Sequence, residues 1–445
     1  MAYIANTDDD RRAMLDEIGV KTFDELISNI PEDAKFKGEL NLPEGISEFE
    51  ALSELEKLAG KNKSNLAVFA GAGAYDHYVP AAIKQILSRS EFYTAYTPYQ
   101  AEVSQGTLQA IYEFQSMICD LTGMDVANAS MYDGATALAE AMLLATAHTR
   151  RNKFVIPANL HPHYRKVLDT YAYGMGIEIV KIPVVDGTIN LDELQNLVDD
   201  NVAAVAIQQP NFYGLIEDVF DIEKIAHDKK ALFVVSVDIL SLGILEAPGN
   251  YGADIVTGEA HYLGNPLNYG GPYLGIFAVK QDLIRKIPGR LAGVTVDVDC
   301  NRGFVLTLQT REQQIKREKA TSNICSNQGL CMLAATIYLS LLGKKGFKEL
   351  AEICYHKAHF LADELSKIKG VKLKYNKPFF REFVIDTTKP PKVLIDSLLE
   401  FDILAGVDLA RFYEGDSGLL IAVTEKLTRL EIDKFVYRLK TLLEP

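Results

Sequence analysis

Residues 153–174 read KFVIPANLHPHYRKVLDTYAYG, and this stretch decides the fold class. Its first five residues are typical of a strand buried on both faces, and the run that follows has the apolar spacing of a helix. Similar apolar runs occur in VAAVAI (202–207) and ALFVVSVD (231–238), and helical spacing also fits residues 107–121 and 135–148. Strands that alternate with helices predict an α/β fold around a mostly parallel sheet.

The length of 445 residues favours more than one domain. Residues 1–63 are charged and helical in pattern, with TFDELISNI stopped by Pro31, and predict an N-terminal helical arm. We expect a large α/β domain over 64–310, a connecting helix over 311–343 and a smaller α+β domain over 344–445. The last domain contains the short strands EFVID and GLLIAVT.

Composition excludes several classes of protein. The net charge of −14 opposes binding to nucleic acid or to an anionic membrane. We see no apolar run of about 18 residues and no secretion signal at the start, so we expect a cytoplasmic protein. The five cysteines form no metal-binding spacing, and we predict no metal site and reduced thiols. Partners should be proteins or small molecules.

Ligands of parallel sheets bind beyond the carboxyl ends of the strands. The first candidate there is NASMYDGATALAEA (128–141), where Ser130, Asp133 and Gly134 form a turn that opens a helix. Free backbone N–H groups and the helix dipole make such a turn an anion site. A helix simply capped by Ser130 or Asp133 fits the same residues, and Asp133 would repel a phosphate.

Three more candidates follow predicted strands. His161 is placed to stack on a flat ring or carry a proton, although a histidine in a surface turn is as common. Asn211, in QQPNFYG, can donate to a ring oxygen, or it can simply stabilise the turn before Gly214. Asp238 ends an apolar strand and needs a partner, because burying an unpaired carboxylate is costly.

The fifth candidate is GEAHYLGNPLNYGGPYLGIFAV (258–279), a loop before another strand, in which Gly270 and Gly271 allow unusual backbone conformations. The order of the five candidates resembles the type I pyridoxal phosphate (PLP) transferases, the aspartate aminotransferase-like fold. That resemblance implies sites for phosphate, for the pyridine ring and its oxygen, and for the ring nitrogen at Asp238. It also implies a Schiff-base lysine in this loop, where the sequence has His261 and Tyr262. A phenol cannot form that bond.

Residues 96–142, which begin YTPYQAEVSQG, together with the loop 258–275, closely resemble the P-protein family of the glycine cleavage system, of its subunit 1 type. MLDEIGVKTFDELISNIP and TREQQIKREKATSNICSNQGL extend the resemblance along the whole chain. In that family the half with a His-Lys dipeptide at this loop holds PLP. The resemblance therefore implies that this chain is the other half and that PLP is carried by a partner subunit.

The resemblance further implies an α2β2 assembly that decarboxylates glycine and passes the aminomethyl group to the lipoyl group of H-protein. We expect this chain to be inactive alone and to complete the partner's pocket with one polar loop, while its own vestigial pocket is filled by its side chains. The residues of that loop are Tyr96, Thr97, Tyr99, Gln100, Glu102 and Ser104.

Other readings fit the same chain. A non-catalytic scaffold would only stabilise the partner or recruit H-protein, and an independent PLP enzyme would need another lysine, of which Lys280 is the nearest. VFAGAGAYDHY lacks the third glycine of a dinucleotide site. Arg290 and the basic run REQQIKREK either bind an anion or face solvent, and Arg381 is a candidate for a substrate carboxylate.

Overall fold

The computed structural model describes residues 5–413 and 417–444. The chain divides into two compact units, residues 1–64 and residues 65–445. The helices of the first unit are α1 (Asp8–Ile18), α2 (Phe23–Leu26) and α3 (Glu48–Ala59). Helix α2 ends at Leu26, before the predicted stop at Pro31, and residues 27–29 form turns. None of the described residues of this unit is buried.

The second unit contains all the strands that the structure describes. They are β1 (Ala67–Val68), β2 (Val126–Ala127), β3 (Lys153–Pro157), β4 (Glu178–Ile182), β5 (Val184–Val185), β6 (Thr188–Ile189), β7 (Val202–Gln209), β8 (Leu232–Asp238), β9 (Ile255–Glu259), β10 (Gly275–Val279), β11 (Leu291–Val296), β12 (Arg302–Thr307), β13 (Val371–Leu373), β14 (Glu382–Thr387), β15 (Ile403–Leu404), β16 (Val407–Asp408) and β17 (Leu419–Ala422).

Its helices flank these strands. They are α4 (Ala81–Leu87), α5 (Ser90–Tyr93), α6 (Gln105–Thr122), α7 (Gly134–Thr149), α8 (Pro162–Met175), α9 (Leu191–Leu197), α10 (Val219–Asp228), α11 (Gln313–Lys316), α12 (Gly329–Ser366), α13 (Pro391–Leu399) and α14 (Arg429–Leu443). Short 3-10 turns span Ala101–Val103, Ile239–Gly243, Pro248–Tyr251, Gln281–Leu283, Gln309–Arg311, Arg317–Lys319 and Leu409–Arg411.

The central sheet has seven strands in the order β2-β10-β9-β8-β7-β3-β4. Strands β9, β8, β7, β3 and β4 are parallel, and β10 runs antiparallel to β9 and β2. Along β7, Val205 and Ile207 pack into one core while Ala204 and Ala206 pack into the core on the other face. Because both faces are covered, the strands are apolar throughout, and the prediction of a mostly parallel α/β sheet is confirmed.

The C-terminal segment forms an antiparallel sheet in the order β13-β14-β17-β16. Strand β1 pairs in parallel with β15, and Phe69 is buried in the core of this smaller layer. Residues 67–69 therefore pack with the C-terminal segment, although they lie inside the predicted range of the large domain. The predicted domain boundaries remain predictions.

The segment predicted as a connecting helix is only partly helical. Between residues 311 and 328 the chain forms short turns and α11, and the long helix α12 begins at Gly329. Gly343 interrupts α12 with a φ of 59°, in the left-handed region that glycine tolerates. By length and composition alone α12 is apolar enough to cross a membrane, contrary to the expectation from sequence, but more than half of its apolar window is buried in the protein.

Candidate active site

The polar centre of the molecule lies at the carboxyl end of β8, where Asp238 meets two side chains of the same chain. The Tyr262 hydroxyl donates a hydrogen bond to Asp238 Oδ1. Arg381 Nη2 lies 2.8 Å from Asp238 Oδ2, and the Arg381 side chain is 1% exposed. Burial disfavours the charged guanidinium, but Asp238, Tyr262, Tyr75 and Cys354 together outweigh that effect and hold the pKa of Arg381 above its usual range. Both carboxylate oxygens are thus engaged internally.

Arg381 also fixes the protonation of His77. Its Nη1 donates to His77 Nε2, and since arginine only donates, Nε2 must accept. The proton is then on Nδ1, which donates to Glu425 Oε2 at 2.6 Å. Burial lowers the pKa of His77, in agreement with a neutral ring. The ligand atoms of His77, Cys354 and Glu425 lie within 4.8 Å of one another, close enough to share a metal ion, but both ring nitrogens of His77 are engaged by Arg381 and Glu425.

Two more groups surround the guanidinium of Arg381. It lies 3.7 Å from the centre of the Tyr75 ring and 4.7 Å from that of Tyr262, both within range of a cation–π interaction. The Tyr75 hydroxyl donates to Glu382 Oε2 at 2.8 Å. Burial raises the pKa of Glu382 to about 7. The network therefore connects residues 72–78 and the C-terminal antiparallel sheet to the carboxyl end of β8.

At the start of α7, carboxylates take the backbone N–H groups that a phosphate would need. Asp133 Oδ1 accepts from the Thr136 N–H at 2.7 Å, as a helix cap. The Gly134 N–H donates at 3.0 Å to Glu259 Oε2, at the end of β9. Glu259 Oε1 accepts from the N–H groups of His261 and Leu274. Of the two interpretations of this turn, the capped helix describes the structure.

His161 and Asn211 are also engaged within the chain. His161 Nε2 donates to the Ala72 carbonyl at 2.8 Å, its ring stacks on Tyr164, and burial lowers its pKa to about 4. The Asn211 amide donates to Gly187 and to Glu217, while its oxygen accepts from two backbone N–H groups. Neither side chain has hydrogen-bonding capacity left for a ring.

Ser130 and His261 complete the predicted pocket. Ser130 is buried with a φ of 106°, and its hydroxyl accepts from the Gln328 N–H at 3.1 Å. His261 is fully buried and stacks on Tyr273. The structure brings His261, Tyr262 and Asp238 together and places Gly134 against Glu259, whereas Ser130 belongs to the contact with the segment before α12.

The residues around Asp238 do not fit PLP. The cavity that Asn211, Asp238 and Arg381 line measures about 20 Å³, which is room for about one water, while ligand sites measure about 300–1,000 Å³. Tyr262 offers no amine, Arg381 is paired with Asp238, and Glu259 binds the N–H group at the head of α7.

Lys280 lies at the opposite end of the sheet. It follows β10, which is antiparallel to β9, so it sits at the amino end of β9. Its Nζ donates to Asp254 Oδ1 at 3.0 Å and to the Gly252 carbonyl. His227 joins the same cluster, with Nε2 2.8 Å from Asp254 Oδ2 and Nδ1 2.5 Å from Glu223 Oε1. Lys280 does not replace the missing lysine.

The His227 cluster predicts a pH dependence of stability. The hydrogen bond to Asp254 raises the pKa of His227 despite partial burial. A raised folded-state pKa stabilises the fold fully below the unfolded pKa of about 6.5, and this contribution is lost as pH rises through the folded pKa. The wild-type melting temperature should therefore fall more between pH 6 and 9 than that of His227→Gln, which lacks this contribution. The variant His356→Gln, at an exposed histidine, is the control. Parallel curves for wild type and His227→Gln would contradict the assignment.

The loop predicted to contact a partner is on the surface. Tyr96 is 86% exposed and Tyr99 is 50% exposed. Arg290 Nη2 donates to the Tyr99 hydroxyl at 3.1 Å, which anchors the loop to the body. Gln100 and Glu102 are exposed, and Thr97 and Ser104 are half-buried. These side chains form a polar rim in front of α6.

Solved structures define the class of protein. The chain has a TM-score of 0.70 to glutamate decarboxylase of Lactobacillus brevis, at 14% identity and covering 93% of this chain and 96% of that one. The fold is that of the type I PLP-dependent enzymes. A structure of glycine decarboxylase (P-protein) of the glycine cleavage system, in inhibitor-bound form, gives a TM-score of 0.92 at 40% identity, with both chains fully covered.

The chain belongs to the glycine cleavage system P-protein family, whose model matches residues 1–439. The probable glycine dehydrogenase (decarboxylating) subunit 1 of Chloroherpeton thalassium is 58% identical over 444 residues, which cover 99% of this chain and all of that protein. The sequence-based resemblance to this family and to the type I fold is confirmed.

Sequence reasoning did not find Glu259 or His77 as members of the site. Glu259 stands in the quoted loop, beside the dipeptide that replaces His-Lys, so its position was visible. Its role could not be predicted, because the N–H group that it binds belongs to Gly134 at the N-terminus of α7, far from Glu259 in the sequence. Arg381 was a candidate for a substrate carboxylate, and the structure instead pairs it with Asp238.

Proposed function

We propose that this chain is the subunit of a glycine decarboxylase that holds no PLP of its own and completes the active site of a PLP-bearing partner. The observation that carries the proposal is the closed centre around Asp238, with Tyr262 at the position of the lysine. In an α2β2 assembly, glycine would lose CO2 at the cofactor of the partner, and the aminomethyl group would pass to the lipoyl group of H-protein.

The surface around the loop 96–104 supports a contact with another chain. A groove of about 250 Å³ lies beside the loop and is lined partly by Phe92, Thr97 and Leu330. The hairpin formed by β11 and β12 carries the exposed side chains of Val294 and Val296. Gln105, directly after the loop, hydrogen-bonds to the backbone of Phe304 in this hairpin. Exposed apolar surface of this kind is typical of protein interfaces. We infer that the polar rim around Tyr96 then faces the partner's pocket.

The function is tested in the assembled complex, with glycine and H-protein as substrates. We expect Tyr96→Ala and Glu102→Ala to lower kcat by about 10–100-fold, because small displacements of positioning groups reduce rates on this scale. The control is Tyr173→Ala, an equally exposed tyrosine on α8. Size-exclusion chromatography separates loss of activity from loss of assembly.

A non-catalytic scaffold predicts a different outcome. If Tyr96→Ala, Thr97→Ala and Glu102→Ala assemble with the partner and retain full decarboxylation, the loop does not contribute to the active site. The chain would then act only by stabilising the partner or recruiting H-protein. Loss of assembly in all three variants, with Tyr173→Ala intact, would assign the loop to the interface alone.

A further inference from the structure

The Arg311 side chain is buried without enough acceptors. It is 5% exposed, and its Nη1 donates to the Ile287 carbonyl. Its Nε and Nη2 have no hydrogen-bond acceptor among the residues that the structure describes. Burial lowers its pKa to about 10, so the group is charged at neutral pH. Burying a guanidinium whose donors lack acceptors costs free energy. The Nε and Nη2 donors of Arg311 are therefore available to an acceptor from outside the chain.

Arg290 lies beside the same cavity and is 3% exposed. Its guanidinium donates to the Ser326 hydroxyl at 2.8 Å, the Cys325 carbonyl at 3.0 Å and the Tyr99 hydroxyl. Glu312 is the nearby carboxylate, with Oε2 3.8 Å from Arg290 Nε. Two guanidinium groups face one carboxylate, so the cavity has an excess of positive charge.

The cavity is small and lies partly at the surface, where the exposed residues Thr321 and Cys325 form its edge. Gln313 and Ser322 line it together with the two arginines, and its volume is about 10 Å³. Burial raises the pKa of Glu140, which lies next to Ser322, to about 7, so this neighbour is not fully ionised at neutral pH. One wall is the segment 311–326, which contains only short helical turns. A ligand larger than water must displace this segment.

We propose that Arg290 and Arg311 form a binding site for a small oxyanion, a phosphate or carboxylate group. The Nε and Nη2 donors of Arg311 lie in one plane at the spacing of two oxygens of such a group, which favours bidentate binding. The site goes beyond the proposed function, since it is separate from the closed centre at Asp238. Through Arg290 and Tyr99 it is connected to the loop that we assign to the partner's pocket.

The test is isothermal titration of the purified full chain with inorganic phosphate and with acetate, at constant ionic strength in chloride. We expect saturable binding of at least one anion. Arg311→Met should abolish it, and Arg311→Lys, which keeps the charge but not the planar pair of donors, should weaken it by about tenfold. The exposed Arg285→Met is the matched control and should bind as wild type.

The two anions distinguish the source of the ligand. Binding of phosphate alone indicates a phosphate-bearing ligand, binding of acetate alone a carboxylate-bearing one, and binding of both an oxyanion site without that selectivity. Absence of binding to wild type overturns the proposal. Binding by Arg311→Lys equal to wild type also overturns it, even if Arg311→Met does not fold, because the planar pair of donors would then not be the ligand-binding group.

Discussion

Arg381→Met is expected to lower the free energy of unfolding by about 3–5 kcal/mol, the range for removing one partner of a buried ion pair. The substitution leaves Asp238 in the interior with only the Tyr262 hydroxyl and a backbone N–H as donors. It also removes the donor to His77 Nε2 and the cation stacked on Tyr75. Urea unfolding followed by circular dichroism measures the loss.

Two variants control this result. Arg89→Met removes an arginine from an exposed pair with Glu91 and should change stability by less than about 1 kcal/mol. The double variant Arg381→Met with Asp238→Asn should recover part of the loss, because no unpaired charge remains buried. A loss below about 1 kcal/mol for Arg381→Met alone would show that the pair with Asp238 does not hold the centre together.

The isolated chain, incubated with PLP and reduced with borohydride, is expected to carry no specific pyridoxyl adduct. We expect the same result for the variant Tyr262→Lys. The substitution restores an amine, but Arg381 still pairs with Asp238 and Glu259 still binds the Gly134 N–H. The cavity of about 20 Å³ does not admit the cofactor. Peptide mapping by mass spectrometry locates any labelled lysine.

The partner subunit that we propose to hold PLP, treated in the same way, is the positive control and should be labelled at its own lysine. Stoichiometric labelling of Tyr262→Lys at residue 262 would mean that the centre opens easily and that only the amine was missing. A specific adduct on a wild-type lysine would support an independent PLP enzyme and contradict the assignment of the cofactor to the partner.

Much of the fold was predictable because it depends on local pattern. Strands β3, β7 and β8 and helices α6, α7 and α8 were expected at these positions, since strands buried on both faces and amphipathic helices have distinct apolar spacing. The segment before α12 was predicted incorrectly as continuous helix. Its charged residues suit a helix, but in the structure the buried Arg311 donates to the Ile287 carbonyl and the chain that follows forms short turns.

The sequence by itself determined that this chain has the type I frame and lacks the lysine, because Tyr262 can be read directly and a phenol cannot form an aldimine. Only the tertiary structure decided which side chains engage Asp238 and the backbone N–H groups at the start of α7. Arg381 reaches Asp238 from the smaller layer, and Glu259 reaches the head of α7 from the next strand. Such pairings join residues far apart in the chain. Which residues pair depends on the groups that the folded core brings within hydrogen-bonding distance. A local sequence pattern does not predict that.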